Sequence, residues 1–322
     1  MPSSTKIKQR RLGKTGLRVS EIGFGGWAIG GAAFGNSYGP TDDAVSRAAL
    51  RRALELGVTL FDTADIYGHG HSEALLGEAL TEWTGPPPTI VTKGGINFYR
   101  NDGTLEPDWT PYSIARAVQQ SLVRLRCETL DVYLLMNPEV ETLDRWRAWE
   151  TLDALQRAGK IAHYGVSVQT PEDGVWLLKH NKPVEVIEVA LSVFFQGATV
   201  ELLDLARKRG VGILAREPLA NGFLAGRCGP GATFGDGDIR GGLPPEYVQA
   251  MTETSANLGF LTEGRMRTPA QAALRFVLDE PRVASAVVGM KTPAQVDENV
   301  GAATVPPLTE DERVRIMRVF DE

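Results

Sequence analysis

Val58-Thr59-Leu60-Phe61-Asp62-Thr63-Ala64-Asp65-Ile66-Tyr67-Gly68-His69-Gly70-His71 is the stretch from which the rest of the chain is read. Val58, Leu60 and Phe61 form the end of a short buried strand, and the chain then opens into a loop. Asp62 closes the strand and Tyr67 follows five residues later. A carboxylate and a phenol so placed can serve as an acid and the group that tunes it. Taken alone, the pair has an ordinary alternative: a carboxylate that caps a turn and a tyrosine packed on a surface.

The next strand, Thr89-Ile90-Val91-Thr92, delivers Lys93 at its own end. In a parallel barrel neighbouring strand ends meet, which brings Asp62, Tyr67 and Lys93 together. Working outward, strands are expected at 58–62, 89–93, 130–135, 161–166, 184–190, 211–215 and 284–289, as apolar runs suited to burial on both faces. An eighth ends in Phe24-Gly25-Gly26-Trp27. Before it, residues 6–12 and 16–22 alternate around Gly13-Lys14-Thr15-Gly16 and read as a hairpin.

Helices are expected from Asp42 to near Gly57, at 72–82, 111–126, 142–158, 171–180, 198–209, 244–262, 269–279 and 293–302, and from Leu308 to Phe320. Thr110-Pro111, Thr170-Pro171, Thr268-Pro269 and Thr292-Pro293 each place a capping hydroxyl before a proline at the first helical position. The pattern predicts an α/β fold: one (β/α)8 TIM barrel over 1–322, with an N-terminal β-hairpin and extra C-terminal helices. Two connections, 94–110 and 216–245, are long enough to be binding loops.

With 322 residues, 43% of them hydrophobic, the chain can bury a large core. A net charge of -6 and a pI near 5.4 argue against nucleic acid as a partner, and the basic run Lys6 to Arg11 is too short to alter that. No apolar run approaches the ~18 residues of a membrane span, and Met1 to Arg18 lacks a signal-peptide core, so the expected location is cytoplasmic with no membrane partner. Cys127 and Cys228 read as free thiols. His69 and His71 lie two apart on a loop but lack the companions of a zinc site, and no metal is expected. His163 and His180 have no partner that suggests catalysis.

Phe61-Asp62-Thr63-Ala64-Asp65-Ile66-Tyr67-Gly68, Thr92-Lys93-Gly94-Gly95 and Asp131-Val132-Tyr133-Leu134-Leu135 together resemble the aldo-keto reductase family, and the likeness extends from Arg11 to Asn299. It implies hydride transfer from NADPH to the carbonyl carbon of a small substrate while a tyrosine protonates the oxygen. Tyr67 matches that tyrosine. A phenol near pKa 10 is a poor acid at pH 7; Lys93 can lower it, and Asp62 can hold Lys93 charged and in place.

The family also implies a histidine after the fourth strand, and here Leu134-Leu135-Met136-Asn137-Pro138-Glu139 puts Met136 in its place. A thioether is no proton donor. Asn137, one residue on, is the neighbouring candidate for substrate contact, with Trp27 and Tyr67. Gly165-Val166-Ser167-Val168 retains the serine expected at the nicotinamide carboxamide and loses the following amide. Glu188 stands for a usual glutamine, and Arg216 for an aromatic that stacks on the nicotinamide, as a guanidinium also can. Glu188 and Arg216 are the expected buried pair.

For the rest of the cofactor, Leu219-Ala220-Asn221-Gly222-Phe223-Leu224-Ala225-Gly226-Arg227 resembles the pyrophosphate loop, with Leu219, Gly222, Leu224, Gly226 and Arg227 as contacts. After the eighth strand, Gly289, Lys291, Thr292, Gln295, Glu298 and Asn299 resemble an adenosine-phosphate site, where a cation at a helix N-terminus suits the 2'-phosphate of NADP(H). Gly26, Trp27 and Asp62 complete the cofactor set that the resemblance implies. The aromatics Trp27, Phe34, Tyr38, Phe98, Tyr99 and Trp109 are available to wall a substrate pocket.

Two functions follow. One is an NADPH-dependent reductase of an aldehyde, ketone or keto-sugar. The alternative is an NADP(H)-binding barrel with a regulatory or redox-neutral role, since the departures gather at the nicotinamide end.

Overall fold

The expected apolar runs become strands β1 (Ile22–Gly25), β2 (Leu60–Asp62), β3 (Thr89–Gly94), β4 (Leu130–Met136), β5 (Ile161–Ser167), β6 (Val186–Ala190), β7 (Gly212–Arg216) and β8 (Ser285–Gly289). In this computed structural model, which describes residues 7–34, 37–98, 105–229 and 231–320, they pair in parallel and in sequence order, and β8 closes on β1. Lys6 and Tyr99 lie outside the described residues.

The helices around the barrel are α1 (Asp43–Glu55), α2 (His71–Glu82), α3 (Pro111–Leu125), α4 (Ala148–Arg157), α5 (Pro171–Lys179), α6 (Leu202–Arg209), α7 (Pro245–Asn257), α8 (Pro269–Leu278), α9 (Pro293–Gly301) and α10 (Glu310–Arg318). All four Thr-Pro starts hold. The threonine hydroxyls of Thr110, Thr170, Thr268 and Thr292 accept from the amides of Ser113, Asp173, Gln271 and Gln295 at 3.2–3.3 Å.

Three helices are shorter than their periodicity predicts. Residues 142–147 do not join α4, because Val140–Thr142 forms a 3-10 turn and Arg147 is left-handed at φ 55°. The segment before α6 is likewise a 3-10 turn, Gly197–Thr199, and α7 stops before a separate turn at Gly259–Leu261. Among the described residues no helix is long and apolar enough to cross a membrane.

The N-terminal hairpin, Gln9–Arg11 with Arg18–Ser20, plugs the bottom of the barrel. Its Leu12 and Val19 pack against Leu60, Val91, Val132, Leu134, Val186 and Leu214, which point into the bore. The opposite strand faces pack against the helices in a larger core that includes Phe61, Ile90, Leu135, Val166 and Ile187. The lower bore is therefore filled largely with apolar side chains, and the charged groups Asp62, Lys93 and Glu188 gather at its C-terminal rim.

Candidate active site

Side chains alternate along a strand, so the residue two places beyond a bore-facing apolar residue faces the bore again, one layer higher. Leu60 leads to Asp62, Val91 to Lys93, Leu134 to Met136, Val186 to Glu188 and Leu214 to Arg216. Register keeps these ends level: Met136 pairs with Ser167, and Ser167 with Glu188.

At the centre of this layer Lys93 is 1% exposed and Asp62 3% exposed. The Lys93 Nζ donates to Asp62 Oδ1 at 2.6 Å, to Asp62 Oδ2 at 2.7 Å and to the Thr63 carbonyl at 3.0 Å. Burial opposes the Lys93 charge, yet Asp62, Glu188 and Tyr67 together hold its pKa above the usual lysine value. The ammonium lies 5.3 Å from the centre of the Tyr67 ring. Burial raises the phenol's pKa, with smaller contributions from Asp62 and Glu188, while Lys93 lowers it through charge and hydrogen bonding.

Tyr67 comes from the loop after β2, and a glycine fixes the course of that loop. Gly68 has φ 60°, and a Cβ on it would lie 2.0 Å from the Gly30 carbonyl oxygen. The loops after β1 and β2 can approach this closely only with glycine there. Trp27 stacks on Tyr38 at 6.1 Å between centroids and lies tilted against Tyr67 at 5.5 Å.

Met136 packs with Tyr67 and Ile96 against Ala64, Ile66 and Phe98. Asn137 does not continue the strand. It is left-handed at φ 50°, its amide donates to the Ser167 carbonyl at 2.7 Å and its carbonyl accepts from Gln169 Nε2 at 2.9 Å.

The expected Glu188–Arg216 pair does not form. Glu188 Oε2 instead stands 3.2 Å from Lys93 Nζ, and Arg216 pairs with Glu217 and donates to the Val168 carbonyl at 3.2 Å. The reason is geometric: β6 and β7 are neighbours with Glu188 in register with Leu214, so the carboxylate reaches across the bore rather than sideways.

A cleft of about 640 Å³ runs from this centre along the rim, within the range of small-molecule sites. Trp27, Asp62, Tyr67, Met136, Asn137, Ser167, Glu188 and Arg216 line one end of it. Leu219, Gly222, Gly289, Lys291, Gln295 and Asn299 line it further on, together with Arg227 and Glu298, whose side chains pair at 2.9 Å.

Gly26, Leu224, Gly226 and Thr292 do not line the cleft. A Cβ on Gly26 would meet Ser72 Oγ at 2.6 Å, Leu224 is buried among Ala220, Leu258 and Ala272, Gly226 abuts Pro269, and the Thr292 hydroxyl caps α9. Trp109 is likewise taken up by packing on Gly95. Phe34 and Phe98 instead sandwich the His69 ring, at 4.0 and 4.6 Å between centroids. His71 hydrogen-bonds Asp43 at 2.8 Å, so the two loop imidazoles have separate partners.

The cleft suits a long polar ligand. Trp27 Nε1, Asn137 Oδ1 and Arg216 Nε are buried and have no hydrogen-bond partner among the described residues, and all three residues line it. At the other end Lys291 Nζ donates to the Tyr38 carbonyl at 2.5 Å, and its backbone amide donates to Gln295 Oε1 at 2.6 Å. An indole donor, an amide acceptor, a guanidinium and a stacking surface at one end, with a cation and amides at the other, match a nicotinamide dinucleotide.

A clasp that local sequence does not reveal joins two loops at this cleft. The Ile239 amide donates to the Ser37 carbonyl at 2.8 Å, the Tyr38 hydroxyl donates to Asn221 Oδ1 at 2.6 Å, and Arg240 pairs with Asp238 while its guanidinium lies 5.2 Å from the Tyr38 ring centre. Burial raises the Tyr38 phenol to about 12. Sequence held one signal for it, the aromatic Tyr38 on a glycine-rich loop, and none for its partner 200 residues away.

Fold and site define the class: a parallel (β/α)8-barrel enzyme with its polar chemistry at the C-terminal mouth of the barrel. Residues 21–320 match the Aldo/keto reductase family, and the chain belongs to that family of oxidoreductases. It is 30% identical over 312 residues to the L-galactose dehydrogenase of Arabidopsis thaliana, covering 93% of this chain and 89% of the relative. It is 30% identical over 295 residues to the aldo-keto reductase YhdN of Bacillus subtilis (strain 168), covering 89% and 86%. Among solved structures it is similar to a glycerol dehydrogenase from Gluconobacter oxydans, with a TM-score of 0.82, 28% identity and coverage of 99% and 95%. An aldo-keto reductase from Bacillus halodurans in its holo form gives 0.77 and 28%, covering 97% and 96%.

Proposed function

We propose that this protein uses NADPH to reduce an aldehyde, ketone or keto-sugar, with Tyr67 as proton donor. The observation that carries the reading is the Lys93 ammonium, buried on Asp62 and beside the Tyr67 phenol at one end of a long polar cleft. The relatives named for L-galactose and glycerol support a hydroxylated compound as substrate.

When bound, NADPH would supply the hydride. Trp27, Ser167 and Arg216 would flank the nicotinamide, Leu219, Gly222 and Arg227 the pyrophosphate, and Lys291, Gln295, Glu298 and Asn299 the adenosine phosphate. Tyr67 stays protonated near neutral pH because burial raises its pKa. It gives that proton to the substrate oxygen as negative charge develops there, and the Lys93 ammonium stabilises the phenolate left behind. Asp62 keeps the ammonium charged and aimed. Met136 supplies no donor to the substrate, which leaves the Asn137 amide as the polar group next to it.

Purified protein mixed with NADPH and a panel of aldehydes, ketones, keto-sugars and quinones tests this through loss of nicotinamide absorbance. Turnover on at least one class is expected. Tight NADPH binding without oxidation by any of them supports the second reading, a regulatory or redox-neutral use of bound NADP(H). Met136 and the buried Val168 at the nicotinamide end are the observations that favour that reading.

Two variants probe the ends of the cleft. Lys291→Met removes a charge-assisted contact to a 2'-phosphate worth about 1.5–3 kcal/mol, which predicts a rise in NADPH Kd of about 10–100-fold. The same titration with NADH should change less than about twofold, and equal weakening of both would refute the assignment. Met136→His places an imidazole beside Tyr67 and is expected to raise kcat/KM for simple aldehydes by about tenfold. An unchanged or lower value would show that the thioether does not limit the rate.

A further inference from the structure

Two carboxylates, rather than one, face the Lys93 ammonium. Asp62 reaches it from β2 at 2.6 and 2.7 Å, and Glu188 reaches it at 3.2 Å from β6, on the opposite wall of the barrel. Glu188 is 2% exposed, and its Oε2 accepts no hydrogen bond among the described residues. The groups around it are Lys93 on β3, Asp62 on β2, Tyr67 on the following loop and the Ser167 hydroxyl on β5. Arg216, on the adjacent β7, is directed to Glu217 and the Val168 carbonyl. Fully ionised, Asp62, Glu188 and Lys93 would place a net negative charge in a nearly dry bore, directly behind the phenol that must lose a proton.

We propose that Asp62 and Glu188 hold a single proton between them, so that the trio with Lys93 is neutral, and that Glu188 is a positioning residue setting the pH at which Tyr67 can donate. Like charges that share a buried site do not both ionise readily, and the proton belongs to the pair rather than to one residue. The same charges act on Asp62, whose carboxyl is pushed up to about 8 by burial and then by the Glu188 charge, against the pull of Lys93. The dependence of turnover on this proton rests on the reductase reading above; the shared proton itself does not.

The direction follows from charge. With the proton in place, the phenolate that forms on Tyr67 meets a neutral trio whose ammonium faces it. Once the pair loses the proton at rising pH, the added negative charge opposes phenolate formation, because Asp62 and Glu188 both raise the Tyr67 pKa. Reduction should therefore fall on the alkaline side as the pair titrates. Glu188→Gln leaves one carboxylate on one ammonium, with nothing to share.

An infrared titration of the protein without cofactor tests the proton itself. Solvated carboxyl groups are fully ionised above about pH 6, so a carboxylic-acid C=O band that persists there and disappears by about pH 10 reports a buried, shared proton. Wild type should show that band, and Glu188→Gln should lack it. Absence of the band in wild type, or its survival in the variant, overturns the proposal; wild type alone decides if the variant fails to fold.

The second readout is the pH profile of kcat/KM. The alkaline limb should move up by at least about one unit in Glu188→Gln, with the carbonyl KM within about twofold. An unmoved limb with weakened NADPH binding would make Glu188 a plain cofactor contact and also overturn the proposal. If no carbonyl is reduced at all, the reductase reading fails while the infrared result still decides the shared proton.

Discussion

Tyr67→Phe is expected to lower kcat for carbonyl reduction by about 10²–10⁴-fold, the range of a lost general acid. The substitution removes one oxygen and keeps the ring that packs against Trp27 at 5.5 Å, so NADPH affinity should stay within about threefold. Burial holds the wild-type phenol protonated, and Lys93 lies close enough to stabilise its anion. A phenylalanine can do neither. A kcat within a few-fold of wild type, measured under saturating NADPH, would mean that the proton comes from elsewhere.

The second large effect is expected from Lys93→Met. The variant leaves Asp62 and Glu188 facing each other in the bore without their ammonium. Removing one partner of a buried ion pair typically costs about 3–5 kcal/mol, and here two carboxylates lose the same partner. The penalty has a definite pH dependence. The folded-state pKa of Asp62 lies above its unfolded value, so its contribution to stability is present below about pH 4 and is lost as pH rises through about 8. The folded-state pKa of Lys93 is also raised, so wild type keeps the lysine's contribution throughout that range. Urea unfolding should therefore show a small loss for Lys93→Met near pH 5, where protons can replace the ammonium, and a larger one near pH 9. Equal losses at both would show that the three groups are not coupled. Turnover should fall about as far as in Tyr67→Phe.

The barrel was legible because two of its determinants are local. Apolar runs such as Leu130 to Leu135 mark strands buried on both faces, and four Thr-Pro pairs mark helix starts at single-residue precision. Asp62 and Lys93 were legible as charged residues that close two such runs, in motifs that resemble the family's. Glu188 was legible only as the counterpart of a glutamine usual in that family. Its partner was not, because barrel closure rather than local spacing places β6 opposite β2 and β3. The side chain of Leu224, on the loop that resembles a pyrophosphate site, turns into the apolar cluster under α8, which only the packing of that loop decides. The clasp between Tyr38 and Arg240 joins two loops whose lengths say nothing about where they meet.

A structure of the protein with oxidised NADP bound tests the central claim most directly. The account predicts the nicotinamide ring over the Asp62–Lys93 pair, with the Tyr67 hydroxyl turned toward the same ring face and still in reach of the Lys93 ammonium. A nicotinamide held away from that pair, or a Tyr67 hydroxyl swung out of reach of Lys93, would contradict it.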